Sequence, residues 1–417
     1  MEELMDKGKA FKISKHLIAK AYKLVKENKG APGVDGISLE EYEATLKDNL
    51  YKLWNRMSSG SYLPSPVRTV EIPKKTGGIR VLGIPTVEDR IAQMAFRLHL
   101  EPDLEKLFLE DSYGYRPNKS AIDAVGVARK RCWSHDWVIE FDIKKLFDRI
   151  DHELMLKAIE KHTEEKWVML YAKRWMCAPF QMPDGTQIER TSGLPQGGVC
   201  SPLLANLFLH YAFDRWIVRE FPQCPWERYA DDALIHCKTK AEAQQLLECL
   251  KQRLEACHLE LHPEKTKIVY CKDSNRKGLE NVATFEFLGY EFRTRTARQK
   301  NGQYFQAFTP AVSKNSKRGL REKIREIKRK AIGWSLERLA ETLNPIIRGW
   351  ANYFCHFNKG EMKHELGKIN LTLTRWAMMK YKKLKRRAMK ASDWLGRCAK
   401  YQPQLFEHWK MGITPAF

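Results

Sequence analysis

The 417-residue sequence predicts an α+β fold followed by a helical, strongly basic C-terminal region, on three observations. Short apolar runs bounded by turn residues recur at 66–85, 137–143, 226–237 and 259–292, as strands do. Between them lie stretches with apolar residues at helical spacing, as at 14–28, 87–110 and 241–257. Beyond about residue 300 basic helices take over: residues 301–417 hold 25 Lys and Arg against 8 Asp and Glu, most of the net charge of +22.

The first helix spans 14–28, with Leu17, Ile18, Ala21, Leu24 and Val25 on one face. NKGAPGVDG (28–36) ends it in a Gly- and Pro-rich loop. Ser38, with Glu41 three residues on, predicts a capping box at the start of the second helix. In 66–85, Val67, Thr69 and Glu71 alternate on one strand and Ile79 and Val81 on the next, joined by a Lys-Thr-Gly-Gly turn. Such a hairpin gathers Lys74, Lys75 and Arg80 at its tip. That is either a solvated basic turn or a triphosphate clamp, since a guanidinium forks onto two phosphate oxygens and an ammonium adds a point charge. Residues 112–120, SYGYRPNKS, mix aromatics with Arg and either face a nucleic-acid strand or pack a loop.

WVIEFDI (137–143) is a strand with Asp142 near its end, where open sheets present catalytic groups. Phe147 follows on the turn leaving it, and Asp148 and Asp151 sit at helix entries, where acids favour the dipole. TSGLPQGGVCSPLLAN (191–206) is a Gly-rich loop running into an apolar helix. It lacks the G-K-[ST] of a Walker loop, and its Gln196 offers both a donor and an acceptor. Tyr229-Ala230-Asp231-Asp232 lies between two strand-like runs. An Asp pair at a hairpin turn bonds its own backbone, or holds a hard, oxygen-seeking cation if a further carboxylate joins it. Strand, turn and strand follow over 259–269, then a strand pair from Phe285. In the basic region, Leu320, Ile324 and Ile327 make a narrow apolar stripe on a helix at 316–331; a second helix covers 335–356.

With 43% hydrophobic residues the chain builds a real core. Its charge points to a polyanion, a nucleic acid ahead of a membrane surface. The ten cysteines are scattered singly without zinc spacing and read as small core residues in a reducing compartment. The N-terminus is charged from Glu2, which argues against a signal peptide, and the longest apolar stretch, 203–213, is too short to cross a bilayer. The expectation is a cytoplasmic protein, nucleoid-associated in action, with no membrane partner.

An ordered series of motifs resembles bacterial group II intron-encoded reverse transcriptase/maturases: NKGAPGVDG (28–36), EIPKKTGGIRVLGIPT (71–86), SYGYRPNKSAIDAV (112–125), EFDIKKLFDRIDH (140–152), GLPQGGVCSPLLANLFL (193–209), RYADD (228–232), LHPEKTKIV (261–269), FEFLGY (285–290) and LNPIIRGWANYF (343–354). The resemblance covers nearly the whole chain. It implies a right-hand polymerase with fingers and palm in 1–300, a helical thumb/domain X in 301–375, and a basic, aromatic nucleic-acid-binding segment in 376–417.

The same resemblance implies an RNA-directed DNA polymerase working by two-metal phosphoryl transfer. Asp142, Asp231, Asp232 and the backbone carbonyl of Ile143 would hold two Mg²⁺, with Mn²⁺ as a substitute. Lys74 and Arg80 would clamp the dNTP, Phe147 would crowd the ribose 2′-position, and Gln196 would contact nucleotide and template. Lys265 would protonate the leaving pyrophosphate, and Phe287-Leu288-Gly289-Tyr290 would form the primer grip. Partners would be intron RNA, an RNA template with a DNA primer, target DNA and dNTPs, in splicing and retrohoming. Many relatives continue into an H-N-H endonuclease with paired cysteines. Here Cys398 is alone and YQPQLFEHW (401–409) matches no such pattern, so no DNA-cleaving domain is expected. Two other readings are a splicing-only maturase, which would not need the acidic triad, and a domesticated relative serving repair, phage defence or a CRISPR-associated system. The sequence leaves oligomeric state open.

Overall fold

The structure is a computed structural model describing residues 9–73, 78–276, 278, 280, 282–299 and 301–415. The chain opens with α1 (Lys15–Asn28), α2 (Leu39–Ala44), α3 (Leu46–Ser59), β1 (Val67–Pro73), β2 (Ile79–Ile84), α4 (Val87–Leu107), α5 (Ala121–Ser134) and β3 (Trp137–Asp142). There follow α6 (Leu146–Arg149), α7 (His152–Glu160), α8 (Lys166–Cys177), β4 (Phe180–Gln181), β5 (Gln187–Ile188), α9 (Ser201–Leu209), a π-helical turn at His210–Asp214, and α10 (Arg215–Glu220). Next come β6 (Trp226–Tyr229), β7 (Asp232–Cys237), α11 (Lys240–Glu255), β8 (Lys267–Tyr270), β9 (Thr284–Phe287), β10 (Tyr290–Arg298) and β11 (Tyr304–Val312). Helices close the chain: α12 (Lys314–Lys330), α13 (Leu336–Phe354), α14 (Lys359–Lys380), α15 (Ala388–Tyr401) and α16 (Glu407–Lys410).

The α+β expectation holds, because local signals and tertiary packing agree. Ser14 caps α1, Thr86 caps α4 and Ser335 caps α13. Ser38 and Glu41 close the expected capping box on α2, each such cap satisfying orphan amides for about 1 kcal/mol. Among the described residues the strands form three sheets, ordered β2-β1-β4-β5, β6-β7-β3-β8 and β11-β10-β9.

Two compact units emerge. The first comprises Met1–Ser120, Phe141–Ile235 and Gln244–Lys267. Here β1 pairs antiparallel with β2 from Arg68↔Ile84 to Pro73↔Ile79, the hairpin read from the sequence. Its 74–77 turn, with Lys74 and Lys75, lies outside the described residues. Phe96 packs edge-on against Trp167 and Trp175 (centroids 6.3 and 5.3 Å), and Phe213 joins Phe141 to Trp226 (5.2 Å each). That second cluster takes one ring from β3 and one from β6.

The second unit comprises Ala121–Glu140, His236–Ala243 and Ile268–Phe417. The stripe Leu320, Ile324 and Ile327 on α12 is buried, as its spacing predicts. Trp376 is buried on α14 and donates to the Ala331 carbonyl at 2.7 Å. The segment after α15 returns onto α13 and α14. Asn344 donates to Leu405 O (2.9 Å) and accepts from Glu407 N (3.0 Å), while Asn370 Oδ1 accepts from Trp409 Nε1 (2.9 Å) and meets His408 Nε2 (2.7 Å). Residues 401–409 thus act as a clamp on the helices, a role their sequence did not disclose. No helix among the described residues is long and apolar enough to cross a membrane.

Candidate active site

The β6–β7 hairpin closes at Tyr229↔Asp232, leaving Ala230 and Asp231 as its two-residue turn. Ala230 takes a left-handed backbone (φ 58°), which costs a non-glycine residue about 1–2 kcal/mol and must be held from outside. Two neighbours hold it. Gly114 lies against the turn so closely that a Cβ there would strike the Ala230 nitrogen. From below, the fully buried Arg228 donates to the Ala230 carbonyl (3.1 Å).

Arg228 also forks onto Asp214 at 2.8 and 2.6 Å and donates to Asn206 Oδ1 (3.1 Å) and Ser112 Oγ (2.9 Å). Asn206 continues to the Gly114 carbonyl at 2.7 Å. Asp214 is the last residue of the π-helical turn, whose extra residue resets the helix register at that point. In the 112–120 segment the loop-packing reading accounts for the buried residues. Ser112 and Arg116 are buried loop-packing groups, Tyr113 N donates to Arg228 O (2.8 Å), and Tyr115 is exposed beside Tyr229 (6.5 Å).

Asp142 ends β3, 6% exposed, and pairs with the ammonium of Lys265. The backbone fixes that strand end: His262 N donates to Asp142 O and Lys144 N to Glu260 O, both at 2.8 Å. This pattern brackets the Ile143↔Leu261 bridge and turns the Ile143 carbonyl away from the Leu261 segment. Burial and then the Asp142 charge hold the Asp231 carboxyl above the ordinary carboxylate value, with Lys265 and Arg80 pulling against them. Burial would lower the Lys265 ammonium, but the Asp142 pair and the Asp232 and Asp231 charges outweigh it and raise it. The three aspartates and Lys265 therefore act on one another at one end of the sheet. Three carboxylates sharing one ammonium, with Asp231 held up by burial and by the Asp142 charge, form a hard-oxygen donor set that fits a divalent cation.

The same unit carries the other expected residues of the nucleotide side. Arg80 on β2 is exposed, and its charge reaches Asp231 and Tyr115. The loop before α9 links β2 to α6: Gly83 N donates to Gln196 O (2.7 Å), and a Cβ on Gly197 would strike the Gly83 carbonyl. Leu194 N donates to Phe147 O (2.6 Å) and Gly193 N to Ile150 O (2.7 Å), so the same loop braces the half-buried Phe147 on α6. The buried Gln93 of α4 completes this by accepting from Val199 N at 2.8 Å. The expected primer grip, Phe287-Leu288-Gly289-Tyr290, belongs to the second unit and is the β9–β10 turn, with positive φ at Leu288 (50°) and Gly289 (80°). Phe287 and Tyr290 are buried, and Tyr353 donates to Leu288 O at 2.8 Å.

Sequence reasoning missed Arg228, Asp214, Asn206, Gly114 and Gln93. Only Arg228 left a signal: a charge inside an apolar strand needs a partner.

Comparison with known proteins places these motifs. The family described as reverse transcriptase (RNA-dependent DNA polymerase) matches residues 72–292, and the group II intron, maturase-specific domain matches 317–394. Protein YkfC of Escherichia coli is 33% identical over 321 residues, 67% of this chain and 81% of that protein. The group II intron-encoded protein LtrA of Lactococcus lactis is 33% identical over 201 residues, covering 48% of this chain and 33% of LtrA. The putative COX1/OXI3 intron 1 protein of Saccharomyces cerevisiae is 32% identical over 197 residues, 47% of this chain and 23% of its own length.

Proposed function

The chain belongs to the reverse transcriptase family, as a group II intron-encoded member with a maturase-specific domain, and on that premise we propose how its residues carry RNA-directed DNA synthesis and assist intron splicing. Residues 1–300 act as fingers and palm, 301–375 as thumb and domain X, and 376–417 as a nucleic-acid-binding segment. The observation that carries this reading is the meeting of Asp142, Asp231 and Lys265 at the ends of β3 and the β6–β7 turn.

Enzymes of this family use divalent metal ions. Here Asp142, Asp231, Asp232 and the Ile143 carbonyl would hold two Mg²⁺, or Mn²⁺ in their place. Such ions would supply Lewis acidity that lowers the pKa of the primer 3′-hydroxyl and neutralises the pyrophosphate leaving group. Arg80 and Lys74 bind the dNTP triphosphate, and Phe147, braced from behind by the 193–197 loop, crowds the ribose 2′-position. Gln196 orients the nucleotide against the template. Lys265, whose ammonium is stabilised by three carboxylates, donates a proton to the leaving pyrophosphate. The 287–290 turn grips the primer. The basic C-terminal third binds intron RNA and, in retrohoming, target DNA, in the cytoplasm at the nucleoid.

The test is primer extension on poly(rA)/oligo(dT) with dTTP and Mg²⁺. Wild-type protein extends the primer and Asp231→Ala does not; full activity in that variant would remove the metal assignment. Splicing assistance survives the same substitution, because folding an RNA needs contacts rather than catalysis.

A further inference from the structure

The helical end of the second unit contains a concave site lined by none of the residues assigned to nucleotide addition. It lies between the N-terminus of α13, the C-terminus of α14 and the far half of α15, with a volume of about 260 Å³. Three aromatic rings line it: Tyr381 and Trp394, tilted together with centroids 5.0 Å apart, and Tyr401. Glu337, Lys380 and Gln402 supply polar groups. Lys380 donates to the Trp334 carbonyl and lies 5.4 Å from the Tyr381 ring centre, so its ammonium is fixed at the wall.

Two observations say what such a site takes. Tyr401 is 84% exposed, an aromatic ring left in water at the mouth of a pocket already built from rings. The chain from α14 into α15 carries Lys382, Lys383, Lys385, Arg386, Arg387 and Lys390, all exposed, so the approach to the pocket is a track of positive charge. Aromatic faces beside a basic track are how single-stranded nucleic acids are held: cations follow the phosphates and rings stack the bases. The cavity is smaller than the ~300–1,000 Å³ that takes drug-sized ligands, a size for one ring system rather than a nucleoside triphosphate.

We propose that this pocket receives one unstacked nucleobase of a single-stranded RNA segment, with Tyr401 closing over it and the 382–390 run holding the flanking phosphates. The proposal rests on RNA binding by the basic C-terminal third and adds a base-stacking subsite to it. In A-form duplex the bases are stacked on each other and unavailable, so the subsite discriminates unpaired from paired RNA.

The experiment compares binding of a short single-stranded RNA, and of its duplex, by wild type, Tyr401→Ala, Tyr401→Phe and a Lys383→Ala/Lys385→Ala double variant across a salt series. Tyr401 is exposed enough that its truncation leaves the fold intact. Removing the stacking of one base weakens single-strand affinity about 5- to 150-fold in Tyr401→Ala, with Tyr401→Phe near wild type and duplex affinity unchanged. The slope of log affinity against log salt stays that of wild type in Tyr401→Ala, because stacking releases no counterions. In the lysine variant it flattens by about 0.7 for each phosphate no longer neutralised. If Tyr401→Ala binds single strands as wild type does while the lysine variant weakens, the pocket is refuted and RNA binding by this segment stands. If neither variant weakens, both fall. Equal weakening for single strand and duplex, or binding of anionic vesicles that competes with RNA and depends on Tyr401, would also overturn the proposal.

Discussion

Arg228 fixes the β6–β7 turn through more partners than its place in the RYADD motif discloses. It is buried, forks onto Asp214, and holds the carbonyl of the left-handed Ala230 that aims Asp231. Removing one partner of a buried ion pair costs about 3–5 kcal/mol, whereas replacing both by apolar groups of similar size is often neutral. The double variant Arg228→Met/Asp214→Leu removes both charges but leaves the Asn206, Ser112 and Ala230 acceptors without their donor, so Tm is expected to fall less than in Arg228→Met alone while kcat for primer extension falls about 10- to 100-fold, at an unchanged KM for dNTP. A folded double variant with full kcat would reduce Arg228 to a core residue. Gly114→Ala tests the same turn from its other side: the added methyl strikes the Ala230 backbone, and a similar loss of kcat is expected together with a lower Tm, the clash costing about 1–3 kcal/mol. At Phe147, truncation to Ala is expected to raise rNTP incorporation relative to dNTP; unchanged discrimination would reassign the gate.

At the level of elements, two connections set geometry that helices and strands alone do not. The 193–199 loop ties α6 and β2 through backbone bonds and α4 through the Gln93 side chain, so Phe147, Gln196 and the strand bearing Arg80 share one frame. The 402–413 segment clamps α13 and α14 through Asn344 and Asn370, and its His408 is buried without a charge to pair it. Burial pushes His408 down to about 3 and His210, in the π-helical turn, down to about 4, from an ordinary 6.5. Below 6.5 the unfolded chain takes up protons that the folded chain refuses. The stability these neutral imidazoles allow is thus fully present above pH 6.5 and lost as pH falls toward 4, at about 1.4 kcal/mol per unit per histidine. His408→Phe should flatten the fall of Tm between pH 6.5 and 4.5; an unchanged slope would show that other groups govern it.

For the whole molecule, charge decides the partner and acidity decides the chemistry. A net +22, with 25 cations against 8 anions beyond residue 300, makes RNA affinity a counterion-release process. Affinity for a structured RNA should fall steeply between 50 and 200 mM salt, by roughly tenfold or more for every few phosphates contacted. Asp231→Ala should follow the same salt line as wild type while losing extension. A flat salt response would remove electrostatics as the source of binding.

The sequence by itself determined the α+β class and the order of the motifs. The class rests on short-range signals: alternation at 67–71 and 79–81, helical spacing in α1 and α12, and the capping box at Ser38; the expected site residues came through the resemblance that the ordered motifs carry. The sequence also announced the basic C-terminal third, because charge is a sum over residues and needs no fold to be read. Only the tertiary structure decided what holds the site in shape. Arg228 meets Asp214 across 14 residues and Ser112 across 116, and Gln93 meets Val199 across 106. Such pairs have no period and no spacing rule, since they are set by packing a π-helical turn, a loop and a helix against the sheet. The 401–409 segment was unreadable for the same reason: its Asn partners lie on helices dozens of residues upstream, and burial, not sequence pattern, gives it a task.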